Sequence, residues 1–253
     1  MSAYDFTAQR LFVRDQLAPG AELSPSAEAL NYLLNVLRLR EGAAIHLFNG
    51  RDGEFRAALV DVSRRTARLR VSERLRVQPE RADLDYCFAP LKQARLDYVA
   101  QKATEMGAGR LVPVITHRTQ IRRLNTGRLQ SNVIEAAEQC GVLAVPEVAG
   151  AIELPDFLTH LPAERLLVFC DEHADLGNPL DSLAGRAALA GVSVLIGPEG
   201  GFDDAEREAI RRMPNVVRLS LGPRVLRADT AAVAALAIVQ AAIGDWRLPA
   251  REA

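Results

Sequence analysis

The chain has 253 residues, enough for one large domain or two modest ones and for a substantial core. With 49% hydrophobic and 25% charged residues it reads as an ordinary globular protein, which excludes a disordered, collagenous or disulfide-built chain. Its 31 basic and 32 acidic residues leave a net charge of −1, so the whole is no polycation, and no apolar run approaches the roughly 18 residues of a membrane span. The segment from Met1 to Arg14 carries Asp5, Gln9 and Arg10 and lacks the apolar core of a signal peptide. Cys87, Cys140 and Cys170 are odd in number, widely spaced and in no metal-ligand pattern, which predicts reduced thiols, a cytoplasmic setting and no bound metal.

The first eighty residues read as short strands around one helix. Arg10 to Val13 is a predicted strand. Ser24 and Pro25 then open a helix as N-cap and first helical residue, with Leu30, Leu33, Leu34 and Leu37 on one side and a stop at Gly42. Strands follow at Ala44 to Phe48 and Glu54 to Val62, joined by a turn at Asn49-Gly50. Residues Ala67 to Val71 alternate apolar with arginine at a period of two. This pattern predicts a small β-barrel over residues 1–78. Gln78 to Ala82 reads as a linker, polar and broken by Pro79.

From residue 79 to 253 strands and helices alternate, which predicts an α/β domain with a mainly parallel sheet. The strands are Leu84 to Ala89, Arg110 to Ile115, Leu166 to Cys170, Val192 to Ile196 and Val216 to Leu219. The helices are Leu91 to Met106, ending at Gly107, and Leu129 to Gln139, then one capped by Asp203 with Glu206 in a capping box, and an Ala-rich one from Thr230 to Ile243.

The basic residues cluster. Between Gly109 and Arg128 lie Arg110, Arg118, Arg122, Arg123, Arg128 and His117, with no acidic residue; a second cluster runs from Arg64 to Arg81. Such patches on a neutral protein can hold a phosphate backbone, or can be solvated faces paired with carboxylates elsewhere.

Two segments carry the chemistry. An apolar strand, Val192 to Ile196, runs into Gly197-Pro198-Glu199-Gly200-Gly201 and a capped helix, where glycines let a ligand approach the backbone at the carboxyl end of a strand. The spacing is neither a dinucleotide fingerprint nor a Walker loop. The other is Leu219-Ser-Leu-Gly-Pro-Arg-Val-Leu-Arg-Ala-Asp-Thr-Ala231, in which Arg224, Arg227, Asp229 and Thr230 crowd the entry to the last helix, Asp229 or Thr230 being able to cap it.

Together these segments resemble the family of 16S ribosomal RNA uridine N3-methyltransferases, knotted enzymes of the SPOUT class. The family's Gly-Pro-Glu-Gly-Gly loop matches Gly197 to Gly201, and its Leu-Gly-x-x-x-Leu-Arg-x-x-Thr-Ala segment matches Leu221 to Ala231. Gln101 to Gly107, with Thr116-His117-Arg118, and Glu135 to Gly141, with Val145-Pro146, are similar to two further family stretches. Arg10 to Val13 and Val36-Leu37-Arg38 look like its opening strand and first helix. Val142 stands where the family usually has arginine, and Asp229 where it usually has glutamate.

The resemblance implies a PUA-like RNA-binding barrel at 1–78 and a trefoil-knot methyltransferase domain at 79–253, working as a homodimer. It implies S-adenosylmethionine as cofactor, held by Ile196, Gly197, Pro198, Glu199, Gly200, Leu221, Gly222, Val225, Leu226 and Thr230. The partner is 16S ribosomal RNA in the small ribosomal subunit, and the product is N3-methyluridine near the decoding site. Deprotonating uridine N3 needs a base or a cation, which nominates Arg227 to stabilise the uridylate and Glu199 to orient it or accept the proton. Arg10, Arg38, His117, Arg118, Arg122 and Arg123 are the candidate RNA contacts. Two other readings compete: a SPOUT methyltransferase acting on another RNA, and a non-catalytic RNA-binding assembly factor.

Overall fold

Alternating apolar residues build the first sheet. The computed structural model describes residues 8–63, 66–175, 177–186 and 191–247. Their contacts gather into two units, residues 8–80 with 137–145, and residues 81–136 with 146–247. In the first unit β1 (Arg10–Phe12), β2 (Glu22–Leu23), β3 (Ala44–Phe48), β4 (Glu54–Val60) and β5 (Arg68–Arg76) form a curled sheet in the order β1-β3-β4-β5-β2. Only β1 and β3 run parallel. Leu11, Leu33, Ile45, Leu47, Leu59 and Leu69 fill its core. The β3–β4 turn is tied by Asn49, whose Oδ1 accepts the N–H groups of Arg51 and Asp52, and by Gly50 at φ 73°.

The helix of this unit differs from the sequence reading at both ends. α1 spans Ala27–Asn31, and its cap is Ser26, whose Oγ accepts the Ala29 N–H; Ser24 and Pro25 lie outside it. A π-turn, Tyr32–Val36, continues it, and the chain turns off well before Gly42. Arg38 adopts φ 55° and the Leu39 N–H returns to the Leu33 carbonyl, so a non-glycine residue makes the left-handed exit. Strand β4 likewise ends at Val60, two residues short of the predicted Val62, because Asp61 turns the chain at φ 54°. β5 runs beyond Val71 to Arg76, since its arginines find carboxylates across the sheet: Arg70 on Glu22, Arg68 on Glu22 and Asp61, and Arg76 on Glu54. Much of the Arg64–Arg81 cluster is therefore a paired face; Arg64 and Arg65 lie outside the described residues.

In the second unit every strand pairing is parallel. The strands are β6 (Leu84–Phe88), β7 (Arg110–Ile115), β8 (Glu147–Val148), β9 (Ile152–Glu153), β10 (Leu166–Cys170), β11 (Val192–Ile196) and β12 (Val216–Leu219). Their order is β12-β10-β11-β6-β7-β8, with β9 also on β7. Between them run α2 (Gln93–Glu105), α3 (Thr126–Cys140), α4 (Leu154–His160), α5 (Pro179–Leu183), α6 (Asp204–Arg211) and α7 (Ala228–Ile243). β2, β8, β9, α4 and α5 are too short to give a periodic signal. The Asp203–Glu206 capping box of α6 forms as predicted. For α7 the cap position is Arg227, two or three residues before the predicted caps Asp229 and Thr230. Asp229 Oδ1 accepts the Thr230 N–H and Oδ2 binds Arg227 at 2.9 Å, so it braces the first turn from inside. After β12 at the sheet edge, residues 220–227 carry the chain back inward to α7, which packs on α2 and β11.

Candidate functional site

Strands β10, β11 and β12 end side by side, and β11 lies between β10 and β6, where the direction of sheet building reverses. Ligands of open α/β sheets bind at such a switch point, outside the carboxyl ends of the strands. Here those ends frame a cavity of about 480 Å³. It is lined by Cys170 to Glu172 after β10, Ile196 to Glu199 after β11, and Leu219 to Ala228 on the way into α7. Of the ten residues assigned to a cofactor, Ile196, Gly197, Pro198, Glu199, Leu221, Gly222, Val225 and Leu226 line it; Gly200 and Thr230 do not.

The glycines of the loop have separate jobs. A Cβ on Gly197 would stand 2.6 Å from the Phe202 ring, which packs edge-on to Phe169 at 5.1 Å between centroids. Gly201 takes φ 66°, and a Cβ there would collide with the Glu172 carboxylate. Gly222, at φ 97°, has open space around it. Val225 is 89% exposed at the cavity mouth, an apolar side chain with no protein cover.

Charged groups ring this cavity. Glu199 Oε1 accepts from Arg95 of α2 at 3.2 Å. Arg227 is exposed and held by Asp229. Burial opposes the charge of Asp229, but Arg227 and the Thr230 N–H outweigh it and hold its pKa below the ordinary value. The buried Asp171 accepts from Arg207 at 2.5 Å and Arg218 at 2.9 Å, with Arg211 3.6 Å away. Burial works against its charge, yet the His173 N–H and the Arg218 and Arg207 guanidiniums keep its pKa below normal. Burial pushes the Cys170 thiol up to about 12, so it faces the cavity as a neutral thiol. Asp171, Glu172, Arg207 and Arg95 escaped the sequence reading. The signal for the first two was present, two acids directly following an apolar strand; Arg95 and Arg207 carried none.

The candidate RNA contacts divide. Arg10 is corrected: its guanidinium is buried against Glu54 at 3.0 Å, out of reach of any phosphate. Arg38 is exposed at its left-handed turn. His117 is exposed and its ring meets Asp203 at 3.0 Å, while its N–H donates to Glu206. Arg118 donates to the Gly200 carbonyl at 2.7 Å, bringing the basic segment against the glycine loop. Arg122 pairs with Glu153 and Arg128 with Asp97. Among the described residues no carboxylate pairs with Arg123, and no three His, Cys, Asp or Glu side chains form a metal-ligand group.

Comparisons with known proteins agree with this geometry. A family model for an RNA methyltransferase domain matches residues 78–240, and one for an RNA methyltransferase PUA domain matches residues 26–72. Ribosomal RNA small subunit methyltransferase E of Rickettsia conorii is 32% identical over 91% of this chain and 94% of its own. The Bacillus subtilis protein of that name is 28% identical over 91% and 95%. A methyltransferase from Legionella pneumophila, solved with bound S-adenosylmethionine, superposes with a TM-score of 0.83 at 31% identity, covering 94% of this chain and 99% of that one. Methyltransferase E of Neisseria gonorrhoeae, also bound to S-adenosylmethionine, gives 0.81 at 27% identity, covering 93% and 98%.

Proposed function

The chain belongs to the family of ribosomal RNA small subunit methyltransferase E, and from that premise we propose that it methylates N3 of one uridine near the decoding site of 16S ribosomal RNA. It is an S-adenosylmethionine-dependent ribosomal RNA methyltransferase with the SPOUT α/β fold and an N-terminal PUA-like unit. The observation that carries the reading is the switch-point cavity, built by the two segments on which the family resemblance rests.

The residues present fit the cofactor. About 480 Å³ lies within the usual range for small-ligand sites, roughly 300–1,000 Å³. The backbone leaving β11 and β12 lines the cavity and suits an adenine edge, Val225 and Leu226 offer apolar cover, and Glu199, which meets one arginine at 3.2 Å, suits the cationic part of the ligand. Bound S-adenosylmethionine supplies a methyl group already activated by its sulfonium, so positioning carries much of the catalysis. Ile196 to Gly200, Leu221, Gly222, Val225, Leu226 and Thr230 remain the cofactor-binding set. Arg227 stabilises the negative charge on the uracil oxygens as the N3 proton leaves. Glu199, anchored by Arg95, orients the base or accepts the N3 proton. Arg38, His117, Arg118, Arg122 and Arg123 hold the RNA backbone, and residues 1–78 and 79–253 act as the RNA-binding barrel and the methyltransferase domain. The reading requires the cytoplasm, where ribosomal subunits are assembled. It also takes the chain to be a homodimer, supported by the outward face of α7, where Ala234, Ala237, Ile238 and Ala241 are only partly covered.

The test is to incubate the protein with S-adenosylmethionine and small subunits lacking N3-methyluridine, and to analyse nucleosides by mass spectrometry. N3-methyluridine at one site is the expected product. Methylation of another RNA alone would reassign the target. Cofactor-independent RNA binding with no methylation of any RNA would replace the enzyme with an assembly factor.

A further inference from the structure

A second cavity, of about 340 Å³, opens on the same unit between the start of α2, the irregular segment after β7 and the start of α3. Its floor is the buried side chains of Leu91, Leu96 and Leu129, and its rim includes the half-buried Ile121 and Leu124. Lys92 and Arg123 stand exposed at the edge, with no carboxylate partner among the described residues. Asp97 is the one acid in the wall. Its charge is already taken by Arg128 at 2.6 Å, the Asn132 amide at 2.7 Å and the Gln93 amide at 3.0 Å. What remains is an apolar floor with two cations at its edge that no carboxylate holds among the described residues, and the Asn125 amide in the wall.

That combination suits one ligand class. An unstacked nucleotide offers an apolar base face, a polar base edge and an anionic phosphate, and proteins that read single-stranded RNA splay such bases into side pockets. The location agrees. Arg95, within the turn of α2 that lines this cavity, pairs with Glu199 of the first cavity, and Arg118, on the segment leading to Ile121, donates to the Gly200 carbonyl. The chain segments that supply two sides of the second cavity are thus tied, through Arg95 and Arg118, to the glycine loop beside the first.

We propose that this second cavity holds an unpaired nucleotide of the RNA substrate beside the methylated uridine, its base on the leucine floor and its phosphate at Lys92 and Arg123. The assignment rests on the RNA methyltransferase reading above. It adds a base-recognition site to phosphate contacts, and so makes the unpaired state of the neighbouring residue part of substrate selection.

The probe is a 16S fragment spanning the decoding site, carrying 4-thiouridine next to the target uridine, photo-crosslinked to the full chain. Crosslinks are expected within residues 91–97 or 121–129. In parallel, Leu124→Trp, which fills the cavity from its rim, and Lys92→Glu combined with Arg123→Glu should each raise KM for small subunits about tenfold or more, the order expected for losing a base contact or phosphate contacts. Affinity for S-adenosylmethionine and the thermal midpoint should stay at wild-type values, which separates a substrate site from a damaged fold. Crosslinks confined to other segments while methyl transfer proceeds would overturn the proposal, as would variants that keep KM within about twofold. Crosslinking at this cavity with no methyl transfer to any RNA would leave the nucleotide site standing and remove the enzymatic reading.

Discussion

Arg227 sits at the N-cap of α7 with its guanidinium on Asp229 and most of its surface in water, facing the cavity mouth. Arg227→Ala removes the cation offered to the uridylate and leaves the cavity's backbone walls in place. Methyl transfer should fall by about 10² or more, while calorimetry should find cofactor affinity within about twofold of wild type; turnover that survives takes Arg227 out of the reaction. Arg10 teaches the opposite lesson. An arginine at the head of a predicted strand looks like a surface cation in sequence. Yet Glu54, fully buried, gathers Arg10 and Arg76 at 3.0 and 2.7 Å, with His46 at 3.5 Å. Glu54→Ala deprives a buried guanidinium of its carboxylate and should cost about 3–5 kcal/mol in urea unfolding, without a matching change in cofactor affinity. The glycine loop was legible as a motif, but the separate reasons for its residues were not. Gly197 makes room for the Phe202 ring, which the fold turns back over the loop, and Gly201 makes room for Glu172, which only the fold brings near.

At the scale of elements, the long periodic segments and the capped ones read directly. β10, β11 and β12 span the residues expected, because mainly apolar runs of this length, interrupted only by Ser193 in β11 and Arg218 in β12, are too short for a helix and bury well as strands. The capping box of α6 closes through its own side chains, Asp203 accepting the Glu206 N–H and Glu206 accepting the Asp203 N–H. Asp203→Ala should therefore lower the thermal midpoint and free His117, whose ring leans on the same carboxylate at 3.0 Å. Asp203→Asn, which keeps the cap, should hold the midpoint near wild type; equal losses in both would show that the cap is not what matters. Some element ends differ from the sequence reading although their causes are local. Helix α1 passes into a π-turn and exits at Arg38, a position with no glycine to mark it, and α3 begins at Thr126, where Asn125 Oδ1 caps the Arg128 N–H.

Across the whole molecule, both units hold carboxylates whose pKa lies below the ordinary 3.8: Asp52 in the first, Asp97, Asp171, Asp203 and Asp229 in the second. A lowered folded-state pKa gives stability that is complete above the unfolded value and is lost as pH falls through the folded one. Asp85, raised mainly by burial against the pull of Arg165, acts the other way, its cost growing as pH climbs from 3.8 through its own higher value. With five groups against one, the urea midpoint should hold steady on acidification to about pH 4 and fall below it. In Asp171→Asn that acid limb should be shallower; an unchanged limb would mean that the Asp171–arginine cluster does not govern acid stability.

The sequence by itself determined the parallel α/β pattern of the larger part, the glycine loop and the second segment, on which the resemblance to the family rests. These depend on local periodicity, turn chemistry and spacing, which are properties of neighbours in the chain. Only the tertiary structure decided that β11 slots between β10 and β6, that both loops therefore meet at one cavity, and that Asp171, Glu172 and Arg207 wall it. It alone sorted the arginines into buried, paired and free, since a guanidinium's role depends on which carboxylate lies within about 4 Å of it in space, and no chain-local signal records that distance.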